Sequence, residues 1–322
     1  MLKNTISGAI YGQFIGDALG SRYEFGSNII TKQKIINDMS LHGSNLLYML
    51  GEGPYNLIPG QVTDDTELAM GLLYSILENN KFDKEQVAKK YIKWYKSNPF
   101  DIGQTTTHAL ANATNYSDIV NNSKQYNKTS LSNGCLMRIS PLAIYGLKLS
   151  DKLLLQYCYE DTIMTNPNLI TIDAVGVYCI AIKTALVTND KTIIFKKAFA
   201  VAKTDKIKTI LINSLGDPNP VLESKYIGYV GIALQNAFYE LMNGVSFYDS
   251  IINIIARGGD TDTNGCIAGA LLGAYYGIDG IPKHWISGVK IHNPRSKIYY
   301  EVDQTNIQSQ IDKLYNLIIN TQ

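Results

Sequence analysis

The chain has 322 residues, of which 45% are hydrophobic and 18% charged, with 29 basic side chains against 28 acidic ones for a formal net charge of +1. That balance excludes a long disordered polyelectrolyte and nucleic-acid binding driven by overall charge, while leaving room for a local charged pocket.

In chain order, the pattern is helical almost throughout. Residues 5–19 carry Ile6, Ile10 and Phe14 at helical spacing. Thr63 starts a helix with Leu68, Leu72, Leu73, Ile76 and Leu77, and 84–96 places Val87, Tyr91 and Trp94 on one face. Further helical patterns fall at 104–113, 140–147, 171–187, 190–202, 205–213, 226–243, 247–256, 263–276 and 303–319. Alternating strand patterns are scarce. The expectation is an all-α fold in one domain over 1–322, with long loops at 24–62 and 114–135. Gly216-Asp217-Pro218-Asn219-Pro220 is too short to be a strong linker, and no 30–45-residue repeat is visible.

No run reaches the roughly 18 uncharged apolar residues that span a bilayer. The longest, Thr263 to Ile278, is glycine-rich and flanked by Asp262 and Asp279. The first apolar stretch is broken by Gln13 and Asp17, unlike a secretion signal. Cys135, Cys158, Cys179 and Cys266 lie far apart with no C-x-x-C, so they read as reduced core thiols of a cytoplasmic protein.

Two glycine rows stand out. Gly8, Gly12, Gly16 and Gly20 recur every four residues, as do Gly265, Gly269, Gly273 and Gly277. Each set lies on one helix face. Glycine within a helix costs about 1 kcal/mol relative to alanine, so close backbone approach must compensate. The two helices are expected to be buried and tightly packed, and each other's partner is one option.

Two acidic clusters each open an apolar helix: Thr63-Asp64-Asp65-Thr66-Glu67 and Arg257-Gly258-Gly259-Asp260-Thr261-Asp262-Thr263-Asn264-Gly265. Asp64 and Glu67 have capping-box spacing, so a plain helix start explains the first cluster. Adjacent carboxylates repel, however, and a hard cation with oxygen ligands relieves the conflict. The second begins like a calcium loop, but its twelfth position is Leu271, not Glu, so an EF-hand fails. Neither cluster alone completes a metal site. Together, Thr63, Asp64, Asp65, Asp260, Asp262 and Thr263 have the donors for two hard cations.

Gly16-Asp17-Ala18-Leu19-Gly20 with Glu24-Phe25, then Thr63-Asp64-Asp65-Thr66, Asp101-Ile102-Gly103, Asn133-Gly134 with Met137-Arg138, and Arg257 to Thr263 together resemble the ADP-ribosylglycohydrolase family. The motifs follow the family order over about residues 5–290. The resemblance implies a compact orthogonal helical bundle with two Mg²⁺ ions (Mn²⁺ being possible) in a cleft, held by the six residues just named. It implies a hydrolase that cleaves the glycosidic bond between ADP-ribose and a modified protein side chain, arginine linkage favoured, through an oxocarbenium-like state. A compact bundle with a small-molecule cleft needs no partner to form its site, so a monomer is expected. Glu24 and Asp101 both match catalytic acids of the family. As ordinary residues they would be a loop glutamate and a helix N-cap. Asp17 reads as a support behind the metals or a helix-end residue. The Ser132-Asn133-Gly134 turn offers Asn133 and Gly134 to the substrate diphosphate, or is an ordinary turn. Arg138 fits a core ion pair better than a phosphate contact, and Arg257 is open. One departure concerns Thr165-Asn166-Pro167, where many relatives carry Thr-His. The four histidines (His42, His108, His284, His292) read as structural or surface residues. The rival readings are a non-catalytic ADP-ribose-binding or crystallin-like relative, a hydrolase of another ADP-ribose conjugate, and a different two-metal hydrolase such as a phosphatase. Neither nucleic acid nor membrane is an expected partner.

Overall fold

A computed structural model describes residues 1–41, 43, 45–218, 226–289 and 307–320. Among the described residues there are seventeen α-helices, and the only β-pairings are two isolated bridges. In chain order the helices are α1 (Leu2–Gly20), α2 (Asn28–Ser40), α3 (Asp64–Asn79), α4 (Lys84–Lys96), α5 (Gln104–Leu110) and α6 (Tyr116–Tyr126). Then come α7 (Gly134–Met137), α8 (Ser140–Tyr145), α9 (Asp151–Thr162), α10 (Leu169–Ala185), α11 (Lys191–Val201) and α12 (Asp205–Asn213). The last are α13 (Val230–Asn243), α14 (Phe247–Ala256), α15 (Thr261–Tyr276), α16 (Lys283–Gly288) and α17 (Ile307–Ile319).

Local chemistry sets most of the starts. The side chains of Asp83, Asn115, Ser150, Asn168, Asp190, Thr204 and Ser246 accept from backbone N–H groups of the turns they open. Each satisfies a donor that the helix itself cannot. Burial follows the helical period. On α4 the buried positions are Val87, Ala88, Tyr91, Ile92 and Trp94, opposite a lysine-rich face.

The centre of the bundle is the antiparallel pair of α1 and α15, which meet along their glycines. A Cβ built on Gly8 would lie 2.2 Å from Gly273 O, on Gly12 2.1 Å from Gly269 O, and on Gly16 1.9 Å from Gly265 O. On Gly20 it would lie 2.2 Å from Thr261 O. No larger residue fits, so the two glycine rows are each other's partner, and dispersion over the close contact offsets their helix cost. The pairing brings the C-terminus of α1 against the N-terminus of α15, where the second acidic cluster sits.

Both predicted long loops are partly helical. α2 lies within 24–62, capped by Ser27, and buries only Thr31, Ile35 and Asp38. α6 lies within 114–135 and buries Tyr116, Ile119, Val120 and Ser123, spaced i, i+3, i+4, i+7. Polar composition concealed both. α9 carries no clear apolar period, because its buried stripe is Leu154, Cys158, Asp161 and Thr162, half of it polar. Residues Asn219 and Pro220 of the candidate boundary, positions 303–306 of the last predicted helix, His42 and His292 lie outside the described residues. The four cysteines are free and buried. No described helix is long and apolar enough to cross a membrane.

Candidate active site

Asp17, fully buried on α1, organises the start of α3. Its carboxylate accepts from Thr63 N at 3.0 Å, Thr63 Oγ1 at 2.9 Å, Thr66 N at 3.2 Å and Thr66 Oγ1 at 2.5 Å. A residue 46 positions away thus replaces the missing local cap, since Thr63 makes no side-chain cap bond. Glu67 is no capping-box partner either, because it accepts from Trp94 Nε1 at 2.6 Å in the core. Burial pushes the Asp17 carboxyl up to about 6 against the pull of these hydrogen bonds.

With α3 so fixed, Asp65 meets α15, while Asp64 faces Asp101 and Asp65. Thr63 Oγ1 and Thr263 Oγ1 lie 3.2 and 3.4 Å from Asp65 Oδ2. Thr261 Oγ1 ties α15 to Gly20 O at 2.7 Å. Thr63, Asp64, Asp65, Asp260, Asp262 and Thr263 are all buried.

Glu24 arrives by a backbone splice. Phe25 N donates to Gly259 O at 2.7 Å, and Gly259 N donates to Gly26 O at 2.8 Å. Gly258 and Gly259 both have φ of +77°, and a Cβ on Gly258 would lie 2.4 Å from Gly26 O, so the Gly-Gly turn is required. The splice sets carboxylate oxygens of Glu24, Asp260 and Asp262 within 4.8 Å of one another.

The charges are unbalanced. Burial and then the Asp101 and Asp65 charges hold the Asp64 carboxyl well above its usual range. Burial and then Asp17 and Asp260 do the same to Asp65, and burial with Glu24 and Asp260 to Asp262. Burial, Asp260 and Asp101 push Glu24 up to about 9. Among the described residues no lysine or arginine pairs with any of them, and buried Asp65 Oδ1 and Glu24 Oε2 have no hydrogen-bond partner. Carboxylates and hydroxyls crowded without counter-charge are what a hard divalent cation requires, so the residues fit such an ion.

Asp101 lies in the irregular segment before α5, whose N-cap is Gly103 rather than Asp101. Its Oδ1 accepts from Tyr55 Oη at 2.9 Å, and burial pushes it up to about 6 against that bond. Asn133 stands on the other side. Its N–H donates to Gly228 O at 2.9 Å and its Nδ2 to Asp260 Oδ2 at 2.7 Å. The Asn133 N–H is therefore spent within the protein, and its side chain orients Asp260. Gly134 opens α7, and its carbonyl accepts from Arg138 Nη1 at 3.0 Å.

Arg138 is buried, pairs with buried Asp161 at 3.0 Å and lies over the Tyr91 ring. Arg257 bonds Asn236 and Glu240 and stacks on Tyr239. Both guanidiniums are committed inside the protein. Asn166 donates from Nδ2 to Ser132 O and Oγ at 3.0 and 2.9 Å and accepts from Thr165 Oγ1 at 2.7 Å. It braces the turn bearing Asn133. His108 is exposed beside Tyr126, and His284 lies against Tyr48 and Trp285 near Leu47 O. Sequence reasoning did not single out Tyr55, because only the folded loop brings it to Asp101.

The ADP-ribosylglycohydrolase family model matches residues 1–321, and the chain belongs to that family, a family of hydrolases. It is 34% identical over 309 residues to a putative ADP-ribosyl glycohydrolase of Acanthamoeba polyphaga mimivirus, covering 90% of this chain and 92% of the relative. It is 27% identical over 310 residues to the ADP-ribosyl-[dinitrogen reductase] glycohydrolase of Rhodospirillum rubrum, covering 96% and 95%. It is 25% identical over 317 residues to an ADP-ribosylarginine hydrolase of Pseudomonas putida, covering 95% and 80%. A solved structure described as an ADP-ribosylglycohydrolase-related protein complex has the same fold, with a TM-score of 0.76, 23% identity and 99% coverage of both chains.

Proposed function

We propose that this hydrolase removes ADP-ribose from modified protein side chains with the help of divalent cations, Mg²⁺ foremost, and that the arginine N-glycosidic bond is its target. The observation that carries the metal part is the buried acidic cluster with no cationic partner and the orphaned Asp65 Oδ1. Thr63, Asp64, Asp65, Asp260, Asp262 and Thr263 would hold two such ions. When bound, these ions supply Lewis acidity and fix hydroxyl and water oxygens. The arginine preference is supported by the likeness to the ADP-ribosylarginine hydrolase of Pseudomonas putida.

In this reading water adds across the bond between the ribose anomeric carbon and the side-chain nitrogen. The water oxygen bonds to carbon, the carbon–nitrogen bond breaks, and one proton passes to the leaving group. Asp101 accepts the water proton through the carboxylate oxygen that Tyr55 does not hold. Glu24 and the other carboxylates stabilise positive charge developing on the sugar. Asn133 fixes Asp260, and the Gly134 end of its turn lies beside the substrate. The four buried free thiols support a reducing compartment such as the cytoplasm, and a cleft built from one chain needs no second copy, which supports a monomer.

Asp64→Asn and Asp262→Asn test the assignment. Both variants are expected to fold, to lose activity and to bind Mg²⁺ more weakly by calorimetry, by at least the roughly tenfold that losing even a residue behind a metal ligand costs. Unchanged Mg²⁺ affinity in both would overturn the ligand set.

A further inference from the structure

Residues 51–57 form a tight turn closed by Glu52 N–H to Leu57 O at 2.6 Å and Leu57 N–H to Glu52 O at 2.8 Å. Gly51, Glu52, Gly53 and Asn56 have φ of +69°, +65°, +72° and +51°. Glu52 carries a Cβ in the left-handed region, a strain that persists only where the surroundings over-determine it and that clusters at functional sites.

The surroundings here are Arg22. Its Nη1 donates to Gly51 O at 2.9 Å and to Glu52 Oε2 at 2.6 Å. Its Nε and Nη2 grip Asp38 on α2 at 2.8 and 3.0 Å. Gly53 lies so close to the 3-10 turn Ser21–Tyr23 that a Cβ on it would sit 2.5 Å from Ser21 O. The tip of the clamped turn presents Tyr55. Its ring meets Phe100 edge-on at 5.6 Å, and its hydroxyl reaches Asp101 Oδ1.

We propose that Tyr55 is the positioning residue for Asp101, and that Arg22 holds it there while also anchoring the arm that carries Glu24. This rests on Asp101 being the group that receives the water proton. Asp101 sits between α4 and α5, on backbone that no helix fixes, beside Asn98 at φ +61°. Within its own segment only the neighbouring Ile102 N–H reaches the carboxylate, and the hold from outside the segment comes from Tyr55. The Tyr55 hydroxyl takes Oδ1 and leaves Oδ2 for chemistry. Because Arg22 is two residues before Glu24, one guanidinium sets both sides of the cleft.

The test is a double-mutant cycle of Tyr55→Phe and Asp101→Asn on an ADP-ribosylated arginine peptide with Mg²⁺. Tyr55→Phe keeps the ring on Phe100, so the fold and calorimetric Mg²⁺ binding are expected to be unchanged. It should lower kcat about tenfold with KM unchanged, as misplacement of a catalytic group does. In the Asp101→Asn background it should have no further effect. A wild-type kcat for Tyr55→Phe beside an impaired Asp101→Asn overturns the proposal alone, as does an equal loss in both backgrounds. A wild-type rate for Asp101→Asn overturns it together with the base assignment beneath it.

Discussion

The carboxylate of Asp17 receives both the backbone N–H and the hydroxyl of Thr63, so α1 caps α3 from across the bundle. Asp17→Asn keeps the volume but turns an amide N–H₂ toward donors that need an acceptor. The expected cost is about 1–3 kcal/mol, the range for leaving buried polar groups unpaired. Denaturant unfolding of the variant should show it, with weaker Mg²⁺ binding because Asp64 and Asp65 follow Thr63. A variant as stable as the wild type would contradict the capping role.

The glycine contact makes a sharp stability prediction. Gly12→Ala places a methyl group where Gly269 O already lies, 2.1 Å away. Overpacking of this kind costs about 1–3 kcal/mol even though alanine is the better helix former. Gly216→Ala is the control, since nothing lies within 4 Å of its Cβ position. A lowered Tm for the first and a near-unchanged Tm for the second is the expected pair. Equal Tm values would refute the close approach.

Without cations, stability should fall as pH rises. Burial pushes Glu24, Asp17 and Asp101 up to about 9, 6 and 6, above their unfolded values, with neighbouring charges adding to the rise for Glu24 and Asp101. An acid raised on folding binds its proton more tightly in the native state. The stability it adds is complete below the unfolded value and is lost as pH rises through the folded one. Thermal melts in chelator should therefore decline between pH 5 and pH 9. Mg²⁺ should flatten that decline by replacing the protons. A cation-free Tm that rises over this interval would contradict the buried-charge account.

Asn166 gives a fourth test. Asn166→Ala removes the two Nδ2 bonds to Ser132 at 3.0 and 2.9 Å, leaving Ser132 only the weaker donors Ser130 Oγ and Cys135 Sγ. Loss of a buried hydrogen-bond partner costs about 1–3 kcal/mol, and here it also frees the turn carrying Asn133. KM should rise more than kcat falls, a split that steady-state kinetics measures directly.

Much of this was legible in the sequence because it depends on residue type at fixed spacing. The glycine rows showed a close contact, since a helix tolerates four glycines on one face only for approach. The acidic runs stood out for their unbalanced charge, and the motif order gave the family. What escaped notice depends on contacts between distant segments. Asp17 reads as a support or a helix-end residue, but that it caps α3 through Thr63 and Thr66 shows only when α3 is brought beside it. Tyr55 is one of 22 tyrosines until its turn folds onto Asp101. α2 and α6 look like loops in the sequence because each buries only a narrow stripe. The Asn133 turn was legible as a turn, but the use of its N–H by Gly228 depends on the approach of the strand-like segment before α13.

The most direct measurement is release of free ADP-ribose from peptides mono-ADP-ribosylated on arginine or on serine, each with Mg²⁺ and with chelator. The account predicts release from the arginine peptide in Mg²⁺ and none in chelator. Undiminished release in chelator would contradict the metal-dependent site, and Mg²⁺-dependent release from the serine peptide alone would contradict the arginine assignment.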